Sequence, residues 1–162
     1  MRDSYGARSG FHWCRSNRVR TFASAERRRG AHDARVNGDD DATFRWFFDN
    51  LKTAGGKWDV TGMSHYPAVS GWQTTNNQAY ATMQDVVSRY GKPVVVCELG
   101  MSWNQAATAH SMLSDLVSRT QALGSNGLGV FYWEPEAYPN WQGYTLGAVN
   151  ANGQFTEALS AF

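Results

Sequence analysis

Three apolar segments of this 162-residue chain each end in a short cluster of side chains that could take part in chemistry. The clusters follow residues 59–64, 94–97 and 128–132 and read His65-Tyr66-Pro67, Glu98-Leu99-Gly100 and Trp133-Glu134-Pro135-Glu136. Aromatic rings offer large apolar faces that pack against the C–H faces of sugars. The carboxylate of Glu98, with Trp and Tyr in the clusters on either side along the chain, therefore indicates chemistry on a carbohydrate.

Segments with helical periodicity separate these clusters. Apolar residues recur at helical spacing before residue 55, from about 79 to 90 and from about 106 to 123. Strands are predicted at about residues 59–64, 93–98 and 127–132. In parallel α/β architectures the loops after the strands carry the chemistry, because that edge gathers the strand ends. The sequence therefore predicts that the three clusters meet at one edge of a parallel sheet.

The strands themselves indicate the fold class. Runs such as Val94-Val95-Val96-Cys97 are apolar on both faces, which is typical of a parallel sheet covered by helices. Three strands cannot close into a barrel, and a complete eightfold barrel needs roughly 250 residues. The predicted fold is therefore α/β, as a partial (β/α)8 TIM barrel of about three strands with their helices.

The first 36 residues differ in composition from the rest. They are rich in Arg and contain no Lys, Leu, Ile, Gln or Pro, whereas ordinary apolar runs and mixed charges follow from Asp39. We predict two parts, a disordered or mis-framed segment at 1–36 and a domain at 37–162. The net charge of +1 argues neither for nor against an anionic partner, and the Arg27-Arg28-Arg29 run is more typical of a solvated tail than of a nucleic-acid contact.

The sequence gives little support for a disulfide-rich protein, a metal-binding protein or a membrane protein. Cys14 and Cys97 are too few for a disulfide framework, and the histidines lack metal-ligand spacing on one element. No apolar run reaches the length of a membrane span, and the chain opens without the apolar core of a signal peptide. We therefore expect no metal, no cofactor and no membrane partner.

Four stretches of sequence resemble one family in order along the chain. They are KWDVTGMSHYP at 57–67, RYGKPVVVCELG at 89–100, GLGVFYWEPEA at 127–137 and GYTLGA at 143–148. These stretches are similar to the C-terminal part of arabinogalactan endo-β-1,4-galactanases, glycoside hydrolase family 53. The resemblance runs from about residue 37 to the end and does not include the first 36 residues.

The resemblance implies a fold, a reaction and a substrate. Members are (β/α)8 barrels that hydrolyse β-1,4-galactan with retention, and residues 37–162 would supply about strands 6–8. Glu98, at the end of the seventh strand, is then the nucleophile. The acid/base glutamate belongs to a Gly-Asn-Glu sequence after the fourth strand, which this chain does not contain. Galactan or arabinogalactan is the implied partner, and full-length relatives are expected to be secreted or periplasmic.

The remaining candidate residues would bind substrate. His65 and Tyr66 follow the sixth strand of the implied barrel, where they would hydrogen-bond sugar hydroxyls or the nucleophile. Trp72, Trp103 and Trp133 fall in predicted loops and would stack on sugars. Glu134 and Glu136 would hydrogen-bond to residues of the site or grip sugar hydroxyls, with Glu134 the candidate for substrate binding. Either could instead supply a second carboxylate.

Alternatives to each interpretation stay open. A strand-end glutamate such as Glu98 can also pair with an arginine or cap a helix. For the chain as a whole, the second hypothesis is an inactive fragment or weak carbohydrate-binding remnant, and the third is a nucleic-acid binder that acts through its Arg-rich tail. Trp46 and Trp58, which flank or lie within the first predicted helical region, are expected to be core residues.

Overall fold

The computed structural model describes residues 22–24 and 38–162. Three helices, α1 at Asp41–Thr53, α2 at Trp72–Tyr90 and α3 at Ala106–Ala122, alternate with the strands. The strands are β1 at Phe22–Ser24, β2 at Val60–His65, β3 at Val94–Leu99 and β4 at Gly127–Val130. Short 3-10 helices cover Gly124–Asn126 and Glu157–Ala161. The three strands predicted from the sequence are confirmed to within two residues at each end.

All the described strands form one parallel sheet in the order β1-β2-β3-β4. The predicted α/β class with a parallel sheet is thereby confirmed. Phe22–Ser24 pairs with β2 through Phe22 and Val60, at a place where the sequence indicates no strand. The rest of the segment at 1–36, and with it the predicted disorder and the Arg27-Arg28-Arg29 run, lies outside the described residues.

An aromatic cluster packs α1 against the sheet and α2. Phe44 and Phe48, four residues apart on α1, are both fully buried, and the Phe48 ring lies 5.0 Å from that of Trp58. Trp58 is therefore a core residue, as predicted. Trp46 is not, because it lies between the two phenylalanines on the opposite face of the helix and is 64% exposed.

The helix ends fix where the loops begin. Asp40 caps α1 by accepting a hydrogen bond from the Thr43 amide at 3.0 Å. Gly91 ends α2 with φ 63°, a left-handed conformation that glycine adopts without strain. Helix α2 begins at Trp72, whereas the sequence places Trp72 in a loop. That prediction is wrong, since α2 starts directly after Gly71 and includes the polar Thr74-Thr75-Asn76-Asn77 stretch.

Candidate active site at the carboxyl ends of β2 and β3

A β-bulge determines where Glu98 points. Met63 of β2 pairs with Val96 of β3, but the next residue, Ser64, pairs with Glu98, so Cys97 is the extra residue. Strict alternation along β3 would put Glu98 on the same face as Val96, which packs in the core beneath the helices. The bulge turns Glu98 to the face of Ser64 instead, as bulges beside active sites commonly do.

The Glu98 carboxylate receives hydrogen bonds from two residues of the neighbouring strand end. Ser64 Oγ donates to Oε2 of Glu98 at 3.0 Å, and Tyr66 OH donates to the same oxygen at 3.3 Å. Ser64 and Tyr66 are two residues apart, so they share one face of extended backbone. Among the described residues, the hydrogen bonds to Glu98 come from hydroxyl groups and not from an arginine or a helix end. The site holds an oriented carboxylate.

Cys97 is a poor nucleophile in spite of its position beside Glu98. Its thiol is partly buried and lies 3.5 Å from the carbonyl oxygen of Met63, to which it donates. Burial, and secondly the negative charge of Glu98, raises the pKa of Cys97 to about 11. The thiol is therefore protonated near neutral pH, which leaves the carboxylate as the candidate reacting group.

His65 faces away from Glu98, so its predicted contact with substrate does not fit the structure. The side chain is fully buried, and Nε2 lies 2.8 Å from Oδ1 of Asn76 on α2. The amide nitrogen of Asn76 in turn donates to the carbonyl oxygen of Met112 at 3.0 Å and to Asp115 at 2.8 Å. Because Asn76 Oδ1 is thereby the acceptor, Nε2 of His65 carries the proton.

The protonation of His65 follows from its surroundings. Burial lowers the pKa of His65, while the hydrogen bond to Asn76 and the charge of Asp39 oppose that shift more weakly. Nδ1 is buried without a hydrogen-bond partner among the described residues. His65 is therefore a neutral structural residue that ties the end of β2 to α2. The reason is alternation, which sends residues 64 and 66 to one face and residue 65 to the other.

The segment after β4 continues beside β3 although the regular strand ends at Val130. The Phe131 amide donates to the Val96 carbonyl at 2.8 Å, and the Trp133 amide donates to the Leu99 carbonyl at 2.9 Å. Tyr144 OH donates to the carbonyl oxygen of Trp133 at 3.0 Å. The backbone of Trp133 is thus fixed beside the end of β3, while its side chain remains 43% exposed.

A cavity of about 290 Å³ lies in this segment beyond Trp133. Its lining consists of two carboxylates, one alanine and two aromatic side chains, namely Glu134, Glu136, Ala137, Tyr138 and Trp141. Tyr138 and Trp141 are more than half exposed, and Glu134 has φ 45°, which is unusual for a residue with a side chain. Glu134 therefore lines a cavity with aromatic walls, and its role in gripping sugars stays a prediction.

The two other predicted tryptophans have different surroundings. Trp72 is half-buried and packs against the hydrophobic core as the first residue of α2. Trp103 is half-buried in the loop after β3, and its amide donates to the carbonyl of Thr145 at 3.0 Å. A stacking role for either residue stays a prediction. The packing of Trp72 against the core is an argument against such a role for that residue.

Sequence reasoning missed Ser64 as a site residue. A signal was available, because alternation from Tyr66 places Ser64 on the same face of the strand. The bulge at Cys97 had no such signal, since a valine-rich run gives no indication of where an extra residue lies.

The described residues contain neither a metal-type cluster of side chains nor a helix suited to cross a membrane. Within 22–24 and 38–162, no three His, Cys, Asp or Glu side chains are grouped as metal ligands would be. Over the same ranges, none of the helices has the length and apolar character needed to cross a membrane.

Comparison with known proteins gives a consistent family. An uncharacterized protein from the bgaB 5′ region of Niallia circulans is 27% identical over 143 residues, covering 74% of this chain and 38% of that protein. A probable arabinogalactan endo-β-1,4-galactanase A from Neosartorya fischeri is 27% identical over 120 residues, covering 61% of this chain and 33% of that protein. The chain thus spans well under half the length of these relatives.

Solved structures share the fold at lower identity. A structure from a study of two fungal β-1,4-galactanases matches with a TM-score of 0.65 and 24% identity, over 77% of this chain and 45% of that one. The family 53 catalytic domain from Ignisphaera aggregans matches with a TM-score of 0.60 and 19% identity, over 78% of this chain and 44% of that one. The sequence profile of Glycosyl hydrolase family 53 matches residues 35–162. Since that match covers most of the chain, the protein belongs to glycosyl hydrolase family 53.

Proposed function

We propose that this chain is the C-terminal part of an arabinogalactan endo-β-1,4-galactanase, with Glu98 as the nucleophile. The observation that carries the proposal is the carboxylate of Glu98 at the end of a parallel strand, held by Ser64 and Tyr66. In this proposal β2, β3 and β4 correspond to about strands 6–8 of a (β/α)8 barrel. The relative from Neosartorya fischeri, described as a probable galactanase, supports β-1,4-galactan as the substrate.

The proposed reaction is hydrolysis with retention. Such enzymes hold two carboxyl groups about 5–5.5 Å apart, of which one attacks the anomeric carbon and the other protonates the leaving oxygen. Glu98 takes the first role because rigid strands fix its position. Trp133, exposed beside the end of β3, would stack on the sugar ring.

The second carboxyl group is absent from this chain in the proposal. The sequence contains no Gly-Asn-Glu, and Ser64 and Tyr66, which donate hydrogen bonds to Glu98, carry no carboxylate. Protonation of the leaving group typically contributes roughly 10²–10⁴-fold to the rate. We therefore expect no turnover of galactan by the 162-residue chain alone. Turnover that is lost in Glu98→Gln would mean that Glu134, Glu136 or a partner chain supplies the acid.

A weak carbohydrate-binding remnant is the second candidate function. The exposed rings of Tyr138 and Trp141, which line the open cavity, favour it, together with the exposed ring of Trp133 directly before the lining residue Glu134. Such rings bind sugars without any chemistry. This candidate predicts binding of galactan oligosaccharides in both the wild type and Glu98→Gln. It also predicts that Glu98 forms no covalent intermediate.

Covalent trapping separates the two candidates. The probe is 2,4-dinitrophenyl 2-deoxy-2-fluoro-β-galactoside, whose leaving group departs as a phenolate and needs no acid. A bond forms between Glu98 and the anomeric carbon, the bond from that carbon to the dinitrophenyl oxygen breaks, and its electron pair leaves with the phenolate. Intact-mass and peptide analysis should find one fluorogalactosyl group on the peptide that contains Glu98.

The matched variants are Glu98→Gln and Glu157→Gln. Glu98→Gln should abolish labelling, because an amide is a far weaker nucleophile than a carboxylate. Glu157 is exposed near the C-terminus, so Glu157→Gln should label at the wild-type rate. Oligosaccharide binding without labelling of the wild type would favour the binding remnant and overturn the nucleophile assignment.

A further inference from the structure

We propose that Ser64 is the positioning residue that selects which oxygen of Glu98 attacks. The inference rests on the proposed function, since it concerns the nucleophile of that reaction. Ser64 Oγ and Tyr66 OH both donate to Oε2, at 3.0 and 3.3 Å. Two donors on one oxygen fix the rotation of the carboxylate group about its bond to the side chain. They also engage the lone pairs and negative charge of Oε2, so Oε1 is the oxygen that attacks.

Ser64 is suited to this role because its own position is fixed on both sides. Its backbone carbonyl accepts a hydrogen bond from the Gly38 amide at 2.7 Å, and its pairing with Glu98 places the two side chains on one face. A serine side chain has one rotatable bond before the hydroxyl, so little entropy is lost when the hydrogen bond forms. Ser64 thus holds Oε2 from a rigid strand and not from a loop.

The bulge at Cys97 and the hydroxyl of Ser64 both contribute to the orientation of the Glu98 carboxylate. The bulge brings Glu98 to the face of Ser64, and Ser64 then sets the orientation of the carboxylate. In the covalent step, a bond forms from Oε1 to the anomeric carbon while the bond to the leaving oxygen breaks. The electron pair of that bond leaves with the departing group, so no atom is oxidised or reduced.

The test compares trapping kinetics in three serine variants of the full chain. Ser64→Ala removes the donor, Ser64→Thr keeps a hydroxyl on a residue suited to strands, and Ser88→Ala removes an exposed serine on α2 as a control. The rate of labelling by 2,4-dinitrophenyl 2-deoxy-2-fluoro-β-galactoside is measured against probe concentration. This separates the maximal labelling rate from the probe concentration at half-maximal rate.

We expect Ser64→Ala to lower the maximal rate about tenfold, as loss of a hydrogen bond to a charged group would. The half-maximal concentration should stay within about twofold, because the hydroxyl acts on the nucleophile and not on probe binding. Ser64→Thr should recover most of the rate, and Ser88→Ala should match the wild type. A purely structural role for Ser64 would instead change the melting temperature and both kinetic constants together.

The outcomes distinguish this inference from the proposed function. Labelling of the wild type at Glu98 with an unchanged maximal rate in Ser64→Ala overturns the positioning role alone. A rate that falls equally in Ser64→Ala and Ser64→Thr also overturns it, because the hydroxyl would then not be the active feature. Absence of labelling in the wild type overturns the proposed function and the positioning role together.

Discussion

The ends of β2 and β3 and the segment after β4 are built in different ways. At the ends of β2 and β3, Ser64 and Glu98 lie in strands, Tyr66 directly follows β2, and both hydroxyl groups donate to the Glu98 carboxylate. After β4, the chain leaves regular structure, and three residues other than glycine have positive φ: Glu134, Asn140 and Gln142. Large aromatic rings are also exposed there: Trp133, Tyr138 and Trp141.

This difference indicates a division of roles. A reacting carboxylate needs a fixed direction, because a small misplacement costs a large part of the rate. Substrate contacts tolerate more variation, since an aromatic face can stack on a sugar in several positions. We therefore expect changes near β2 and β3 to alter chemistry, and changes after β4 to alter binding.

Replacing one carboxylate in each region by an amide gives the largest expected difference between the two regions. Glu98→Gln should reduce covalent labelling by more than about 100-fold, since the amide cannot act as the nucleophile. Glu134→Gln should change the labelling rate by less than about threefold, because Glu134 lines the cavity and the proposed reaction forms its covalent bond at Glu98. Labelling kinetics with the fluorogalactoside measure both. A larger loss in Glu134→Gln than in Glu98→Gln would reverse the assigned roles.

The buried contact behind the β2 end gives the next largest effect. Asn76→Ala removes the partner of the His65 Nε2 proton and leaves that donor buried, which should lower the free energy of unfolding by about 1–3 kcal/mol. Asn77, its exposed neighbour on α2, supplies the control, and Asn77→Ala should stay within about 0.5 kcal/mol of the wild type. Urea unfolding measures both values. Equal stability in the two variants would contradict the structural role of the His65–Asn76 contact.

Stacking by Trp133 should have a smaller effect, confined to binding. Trp133→Ala should weaken binding of a β-1,4-galactan oligosaccharide by about 1 kcal/mol, the scale of one aromatic contact. Trp46→Ala is the control, because Trp46 is equally large and more exposed but lies on the outer face of α1. Isothermal titration calorimetry compares the two. Equal weakening in both variants would mean that exposed tryptophans act non-specifically.

The pH dependence of stability should carry a modest contribution from His65. Burial lowers its pKa in the folded state, so the unfolded chain binds more protons as the pH falls below about 6.5. This contribution to stability is complete above that value and is lost as the pH falls toward the folded-state pKa. His65→Gln should flatten this part of the profile in urea unfolding at several pH values. An unchanged slope would show that another group is responsible.

Much of the fold could be predicted from the sequence because the signals are local. Helical periodicity around Phe44 and Phe48 and the valine run at Val94-Val95-Val96 each reflect burial of neighbouring residues along the chain. The prediction that Trp46 is a core residue was wrong, because it relied on the large apolar side chain of Trp. The position of Trp46 on α1 instead turns that side chain outward. The prediction that Trp72 lies in a loop was wrong, because the polar residues that follow it are poor markers of a helix start.

The sequence by itself determined the order of helices and strands, the strand-end location of Glu98 and the resemblance to a glycoside hydrolase family. Tertiary structure alone decided which side chains meet. Whether Glu98 faces Ser64 or the core depends on one extra residue, Cys97, in the pairing of β3 with β2. Whether His65 or its neighbours reach the site depends on which face of β2 the helices cover. Register and face are properties of strand pairing and packing, so residue types along the chain do not determine them.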